Sequence, residues 1–438
     1  MEGRDLSSII RSIHMVAERF LDPTDPLRRT AEEALPVITG ASLPMVRKVL
    51  DGMAVDWTRE KLEALVRAEF SDPAVLERFR PRPGLPGHQS RAIGPRLVTH
   101  IFSGNVPGVA ATSLIRALLV RAPSLGKTAA GEPLLPALFA RGIAEADAEL
   151  GRCLAVTYWP GGEGEMENVA LERAEAVIVY GGNDAVRAVR ARVGAGVRFL
   201  GYGHRISFGV IARECLDASS AMELAHRAAL DVATFDQQGC VSPHLFYAEE
   251  GGRITPEEWA AMLAIAFERV EVELPRGRLA PSEASAIRQL RGEMEFAQLA
   301  GKGVALHASA SGTAWTVIYD PDPRFTASCL NRTVRVKPVH SLDAVAHLVA
   351  PVGGIIQSIG VAATEQRALG ISEQLAAVGA SRITRIGQMA WPEPFWLHDG
   401  RPPLADLVRW CDRVTALMEA SEPTEGLEAG SPAPSAVE

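Results

Sequence analysis

One cysteine in this chain has the surroundings of a nucleophile. It lies in Asp236-Gln237-Gln238-Gly239-Cys240-Val241-Ser242-Pro243-His244, after a run over 221–234 and before Leu245-Phe246-Tyr247. The apolar residues of the first run (Met222, Leu224, Ala225, Ala228, Ala229, Val232) recur at helical spacing, and the second run reads as a strand. Cys240 therefore falls where a helix gives way to a strand. Gly239 removes bulk beside it, and Pro243 stops the helix. Such a turn presents a thiol and its own backbone N–H to one bound carbonyl. A free cysteine taken at random is more often a small buried hydrophobe. The flanking pattern and what lies upstream favour the chemical reading.

Three upstream features carry that weight. The strand 96–102 ends in Ser103-Gly104-Asn105-Val106-Pro107-Gly108, so an amide side chain stands at a strand's carboxyl end. Asn105 reads as an oxyanion donor or as a turn residue that satisfies its own loop. Lys127 closes the next strand and reads as a cofactor contact or a solvated lysine. Gly181-Gly182-Asn183 follows the strand 176–180, as a cover for phosphates or a plain turn with a helix cap.

The elements that must position these groups fall into several blocks. Residues 1–90 read as a helical region, with helices at 6–20, 26–38, 43–53 and 59–70 and a Pro/Gly-rich crossing at 80–87. From 91 to 212 strands alternate with helices of about ten residues, which implies parallel pairing and a doubly wound sheet. Ligands of such sheets lie at the carboxyl ends of the strands, where 103–105, Lys127 and 181–183 stand. A second α/β unit, 213–400, carries the thiol. A closing helix is expected within 401–420, over 402–417, with Leu404, Leu407, Val408 and Cys411 on one face. The acidic, proline-bearing tail 421–438 is expected to be disordered.

The totals exclude several classes. The 438 residues exceed one ordinary domain, and 47% hydrophobic with 22% charged residues is globular composition. A net charge of −8 argues against nucleic acid or an anionic membrane as partner. The five cysteines (Cys153, Cys215, Cys240, Cys329, Cys411) are scattered, with no CxxC pair and no Cys/His cluster. Neither a metal site nor a disulfide framework is expected, and a reduced, cytoplasmic setting is the simplest inference. The amino terminus lacks a basic start and an apolar h-region, and no apolar run approaches the roughly 20 residues of a membrane span. No GxGxxG fingerprint occurs.

The order of these motifs resembles the aldehyde dehydrogenase superfamily. It is most similar to the acyl-CoA reductase branch, the family of the fatty-acid reductase component of bacterial luminescence. Ser103-Gly104-Asn105-Val106-Pro107 takes the place of a Pro-Trp-Asn-Phe-Pro segment, and Lys127 that of the ribose-binding lysine. Asp236–Pro243 corresponds to the Gln-x-Cys nucleophile motif. Arg382–Met389, Trp396–Arg401 and Leu407–Trp410 are also similar to that branch, so the likeness spans about 95–412. The resemblance implies an aldehyde-dehydrogenase-like α/β fold, with two doubly wound domains for cofactor and catalytic thiol and an N-terminal helical cap. It implies NADPH or NADH as cofactor, with Ser103, Gly104, Lys127, Gly181, Gly182 and Asn183 around it. Cys240 becomes the acylated nucleophile and Asn105 its oxyanion partner, with acyl-CoA or acyl-carrier protein as donor and a homodimer or homotetramer as assembly.

One departure sharpens the expectation. The aldehyde-oxidising enzymes carry a Glu-Leu-Gly-Gly segment whose glutamate activates water; here Phe199-Leu200-Gly201-Tyr202-Gly203-His204-Arg205 stands instead, without a carboxylate. A thioester on Cys240 then persists against water, and the expected reaction is reduction of an acyl thioester to an aldehyde. His204 is a candidate proton donor or a structural histidine; His244 and His398 carry no assignment. The alternatives are an aldehyde dehydrogenase releasing free acid, and a protein that only carries an acyl group.

Overall fold

The computed structural model describes residues 1, 3–162 and 164–414. Four amphipathic helices open the chain: Leu6–Leu21, Pro26–Thr39, Leu43–Asp56 and Arg59–Glu69. Asp5, Asp25 and Ser42 cap the first three through their side chains, and Gly40 ends the second in the left-handed conformation. Their apolar faces, with Ile9, Ile13, Val46 and Val49, join one continuous core with the α/β part.

The first sheet has five parallel strands in the order Leu154–Thr157, Ser124–Lys127, Val98–Ile101, Ala176–Tyr180, Arg198–Tyr202. The order reverses beside Val98–Ile101, which places the crevice for a ligand at the end of that strand. The second sheet has seven strands: Ala305–Ala308, Thr316–Tyr319, Thr333–Val339, Pro243–Glu249, Ile206–Ile211, Ile356–Ala362 and Arg382–Arg385. All pairs are parallel except the edge pair Ala305–Ala308 with Thr316–Tyr319. Pro243–Glu249, the strand that follows Cys240, is central and buried along its whole length.

Three readings change. The unit boundary expected at 212 is corrected: Ile206–Ile211 belongs to the second sheet, so the chain crosses between sheets at 203–205. The closing helix expected over 402–417 does not form in its described part. Residues 402–408 make turns whose Leu404 and Ala405 N–H groups donate to Glu69 at 2.8 and 2.7 Å. Arg409–Val414 is then a strand, pairing antiparallel with His88–Ile93. That partner strand, in the stretch read as the end of the helical region, had not been expected; Arg80–Pro81 completes the three-stranded sheet. The tail 421–438 and residues 415–417 lie outside the described residues.

Among the described residues no helix is long and apolar enough to cross a membrane. None of their His, Cys, Asp and Glu side chains form a group of three or more that could hold a metal ion.

Candidate active site

The helix Ala221–Ala233 ends in a turn of unusual backbone. Phe235, Asp236 and Gln237 have φ of 56, 50 and 66°, the left-handed region that non-glycine residues seldom enter. Each such residue costs on the order of 1 kcal/mol, so surrounding contacts must hold the turn. They come from a second left-handed run, Leu330-Asn331-Arg332 at 63, 57 and 61°. Gln237, fully buried, donates through Nε2 to the carbonyls of Pro243 and Thr333 at 2.8 and 2.9 Å and accepts from Thr333 N–H at 2.9 Å. Gln238 Nε2 donates to Asn331 Oδ1 at 3.0 Å. The buried Arg332 donates through Nε to Asp236 Oδ1 at 2.8 Å and through Nη1 to Glu271 Oε2 at 2.7 Å. The two turns interlock.

Cys240 follows as a free, partly exposed residue. Its carbonyl accepts from Ser207 Oγ at 2.7 Å, and Ser207 accepts from Ser358 N–H at 3.0 Å, which fixes the backbone of the turn to two central strands. Although the residue keeps some exposed surface, its sulfur is enclosed by protein, and that burial pushes the thiol up to about 12. The Asp399 carboxylate adds to the rise, while the N–H groups of Cys240 and Val241 and the Arg205 guanidinium oppose it. Arg205 holds Asp399 Oδ2 with Nε and Nη2 at 3.0 and 2.8 Å. The other oxygen, Oδ1, is buried without a hydrogen-bond partner among the described residues.

The second candidate arrives from the first sheet. Asn105 Nδ2 donates to the Gln238 carbonyl at 2.9 Å, and Ser103 Oγ donates to Asn105 Oδ1 at 2.7 Å. The Gln238 carbonyl can only accept, so it fixes which end of the amide is nitrogen, and the serine hydroxyl then donates to the other end. An amide nitrogen carries two hydrogens, so one, beside the thiol's turn, has no partner among the described residues. The loop requires its glycines: a Cβ at Gly108, φ 95°, would lie 1.4 Å from Met53 Sδ. One at Gly104 would meet Glu132 N at 3.0 Å, so the loop after Lys127 packs on the Asn105 loop.

Lys127 ends its strand nearly buried, 6.0 Å from the Tyr158 ring centroid, and burial lowers its pKa. Its ammonium has no hydrogen bond or ion pair among the described residues. Gly181 and Gly182 precede the helix Asn183–Arg190; nothing lies within 4 Å of a Cβ at Gly182, and the helix start has no side-chain cap. An unpartnered ammonium and an open helix amino terminus at strand ends fit the ribose and phosphates of a dinucleotide. Asn183 is engaged otherwise: its Oδ1 accepts from His204 N–H at 2.9 Å and would collide with a Cβ on Gly203 at 2.5 Å. His204 is exposed. Burial, with the nearby His204 adding, lowers His244 to about 4. His244 Nδ1 accepts from Ser328 N–H at 3.0 Å, so its neutral ring carries the hydrogen on Nε2.

The structure thus joins Asn105 to the thiol's turn and Asn183 to His204, while Lys127 bonds to none of the other candidates. Four participants were without a role in the sequence reading: Arg205, Ser207, His398 and Asp399. His398 lies between Tyr202 and Trp396, with centroids 4.4 and 4.7 Å away, and Tyr202 stacks on Tyr180 at 4.8 Å. This column carries the segment 396–399 from the first sheet to the thiol. Burial, with Arg116 and Arg205 adding, keeps His398 well below the usual histidine range, so it is neutral.

The sequence matches the family model for acyl-CoA reductase (LuxC) over residues 2–410. It is 24% identical over 412 residues to a long-chain acyl-protein thioester reductase of Aliivibrio fischeri, covering 93% of this chain and 82% of that protein. A protein of the same description from Photorhabdus luminescens is 26% identical over 411 residues, covering 92% and 81%. Among solved structures, an NAD-dependent benzaldehyde dehydrogenase from Corynebacterium glutamicum superimposes with a TM-score of 0.69 at 15% identity, covering 94% of this chain and 86% of that one. An aldehyde dehydrogenase from Bartonella henselae gives 0.70 at 13%, covering 94% and 88%. The fold is that of the aldehyde dehydrogenases.

Proposed function

The chain belongs to the acyl-CoA reductase (LuxC) family, and from that premise we propose that it reduces an acyl thioester to an aldehyde by way of a thioester on Cys240. The observation that carries the reading is the meeting of Asn105 with the Cys240 turn, through Nδ2 on the Gln238 carbonyl at 2.9 Å.

The Cys240 sulfur attacks the thioester carbon, and its proton leaves with the departing donor thiol. The free Asn105 amide hydrogen and the Cys240 N–H receive the oxygen on which charge develops. A reduced nicotinamide cofactor, when bound, supplies the hydride; NADPH is the assignment, with NADH the alternative. Lys127 holds its ribose, and the Gly181-Gly182 turn, with Ser103, Gly104 and Asn183 bordering the same crevice, takes its phosphates. The tetrahedral oxyanion left after reduction collapses to aldehyde and Cys240 thiolate. Because the thiol rests protonated, pushed up to about 12, bound substrate and cofactor must displace water and favour the thiolate before attack. His204, exposed beside His244, is the candidate that passes this proton from Cys240 to the donor thiol and, after taking one from solvent, returns one to the Cys240 thiolate. The donor is acyl-CoA or an acylated carrier protein, and the assembly a homodimer or homotetramer.

One observation favours a second reading, oxidation of an aldehyde to free acid. Asp399 Oδ1 is buried near the thiol with no hydrogen bond among the described residues, His398 Nε2 standing 3.7 Å away, and a carboxylate there could serve water as a base. Product analysis separates the two. Acyl-CoA with NADPH should yield aldehyde and free CoA in equal amounts. Acid formed from aldehyde and NADP⁺ faster than the reductive turnover would overturn the reductase reading.

A further inference from the structure

Beyond Lys127 the edge strand of the first sheet, Leu154–Thr157, ends in two aromatic residues that go opposite ways. Thr157 is the register partner of Lys127, and Thr128 N–H donates to its carbonyl at 2.9 Å, so the two strand ends are tied together. Trp159 is 3% exposed; its indole N–H donates to the Glu167 carboxylate at 3.0 Å, and Arg192 holds Glu167 in turn. Tyr158 is 52% exposed. Its ring meets no other ring, and its hydroxyl makes no hydrogen bond, among the described residues. Single exposed aromatics are common on protein surfaces and by themselves mean little. What marks this one is the group it faces. The Lys127 ammonium stands over the ring, 6.0 Å from its centroid, at the outer limit of a cation–π contact. Lys127 is only 8% exposed, and its ammonium has no hydrogen bond or ion pair among the described residues. The carboxylate that acts on it through space, Glu167, is already committed to Trp159 and Arg192. Gly161 keeps the space beside the ammonium clear: a Cβ there would stand 3.9 Å from Nζ.

We infer that the Tyr158 ring is the platform on which the adenine of the nicotinamide dinucleotide stacks. The inference rests on the reading of Lys127 as the group that holds the ribose. A nucleoside carries its base on the carbon beside the one that bears the 2′-hydroxyl. A ribose bonded through its hydroxyls to Nζ therefore brings the base within reach of a ring 6.0 Å from that atom. Leu154–Thr157 lies one strand further than Ser124–Lys127 from the strand that leads to Asn105. The base then lies away from the thiol, and the nicotinamide half of the cofactor extends toward it. Buried Trp159 anchors the segment, so the ring is in place before the base arrives and little freedom is lost on stacking. Aromatic rings prefer offset stacks, and the uncovered face of Tyr158 permits one.

The test is fluorescence titration of the whole protein with NADPH or NADH, whichever binds more tightly. Competition by the matching fragment, adenosine 2′,5′-bisphosphate or AMP, reports the adenosine half alone. Tyr158→Ala should weaken both dinucleotide and fragment about five- to hundredfold, the range that alanine substitution gives for a base stacked on an aromatic side chain. Tyr158→Phe keeps the ring and should stay within about twofold of wild type for both. In a Lys127→Met background, Tyr158→Ala should still weaken the dinucleotide at least about threefold. Wild type that binds neither dinucleotide nor fragment defeats the cofactor reading itself. Wild type that binds both, with Tyr158→Ala within twofold of it, defeats the stacking assignment alone. A loss for the dinucleotide without one for the fragment would put the ring at the nicotinamide half and overturn the inference. So would a Phe variant as weak as the Ala one, which would give the role to the hydroxyl. A Tyr158→Ala loss that vanishes in the Lys127→Met background would mean that the ring only places the lysine, and would overturn it too.

Discussion

Asn105 Nδ2 donates to the main-chain carbonyl of Gln238 at 2.9 Å, joining two residues 133 positions apart. The bond ties the carboxyl end of the first sheet's central strand to the turn that presents Cys240. It uses one amide hydrogen and leaves the other for an incoming oxygen.

Replacing Asn105 by Ala should lower kcat about 10²–10³-fold, with KM for the thioester changed little. Asp at the same place keeps the size but reverses the hydrogen-bonding sense, and should be no better. Steady-state kinetics check this, with circular dichroism to show an intact fold. A kcat within threefold of wild type for Asn105→Ala would remove the amide from the chemistry.

The resting thiol should be sluggish. With its pKa pushed up to about 12 by burial and by Asp399, alkylation of Cys240 in the free protein should run more than a hundredfold below that of an ordinary thiol, whose pKa is about 8.5. Its rate should rise about tenfold per pH unit through pH 10. The same shift touches stability. The fold favours the protonated thiol, so that contribution is complete below the unfolded value near 8.5 and is lost as pH rises toward 12. Between pH 8 and 10, wild type should lose more Tm than Cys240→Ala. Pseudo-first-order iodoacetamide kinetics with peptide mapping would decide the first point; a plateau near pH 8–9 contradicts it.

Lys127→Met should weaken the reduced cofactor about tenfold while leaving kcat at saturation nearly unchanged. Charged hydrogen bonds are worth about 1.5–3 kcal/mol, and this ammonium has no hydrogen bond or ion pair among the described residues. Fluorescence titration with NADPH and NADH measures it directly. An unchanged Kd for both would move the ribose elsewhere.

Arg332→Leu strands two carboxylates, Asp236 and Glu271, around a side chain that is 1% exposed. Breaking a buried pair in this way should cost about 3–5 kcal/mol in denaturant unfolding. Because Asp236 is in the nucleophile turn, kcat should fall too at temperatures where the variant remains folded. Lost stability with full activity would mean that the turn holds its shape without the arginine.

Much of this is legible in the sequence. Short apolar runs at regular spacing marked most strands, and strand-end placement marked Asn105, Lys127 and the 181–183 turn. The misses have physical causes. Leu404, Leu407, Val408 and Cys411 mimic a helical face, but strand pairing with His88–Ile93 and the docking of 404–405 on Glu69 override local preference. Ile206–Ile211 is buried on both faces, so it lacks the alternation that announces a strand. Asp399 reaches Arg205 across 194 positions, and no local pattern encodes so distant a contact.

The two left-handed turns carry one more consequence. Gln237 closes its bonds with Thr333 across 96 positions, so the reactive motif is complete as a string of residues long before it exists as a shape. During synthesis the sulfur stays an ordinary flexible thiol until the downstream strand arrives. Transplanting the nine-residue motif into another scaffold should therefore transfer its composition and not its reactivity.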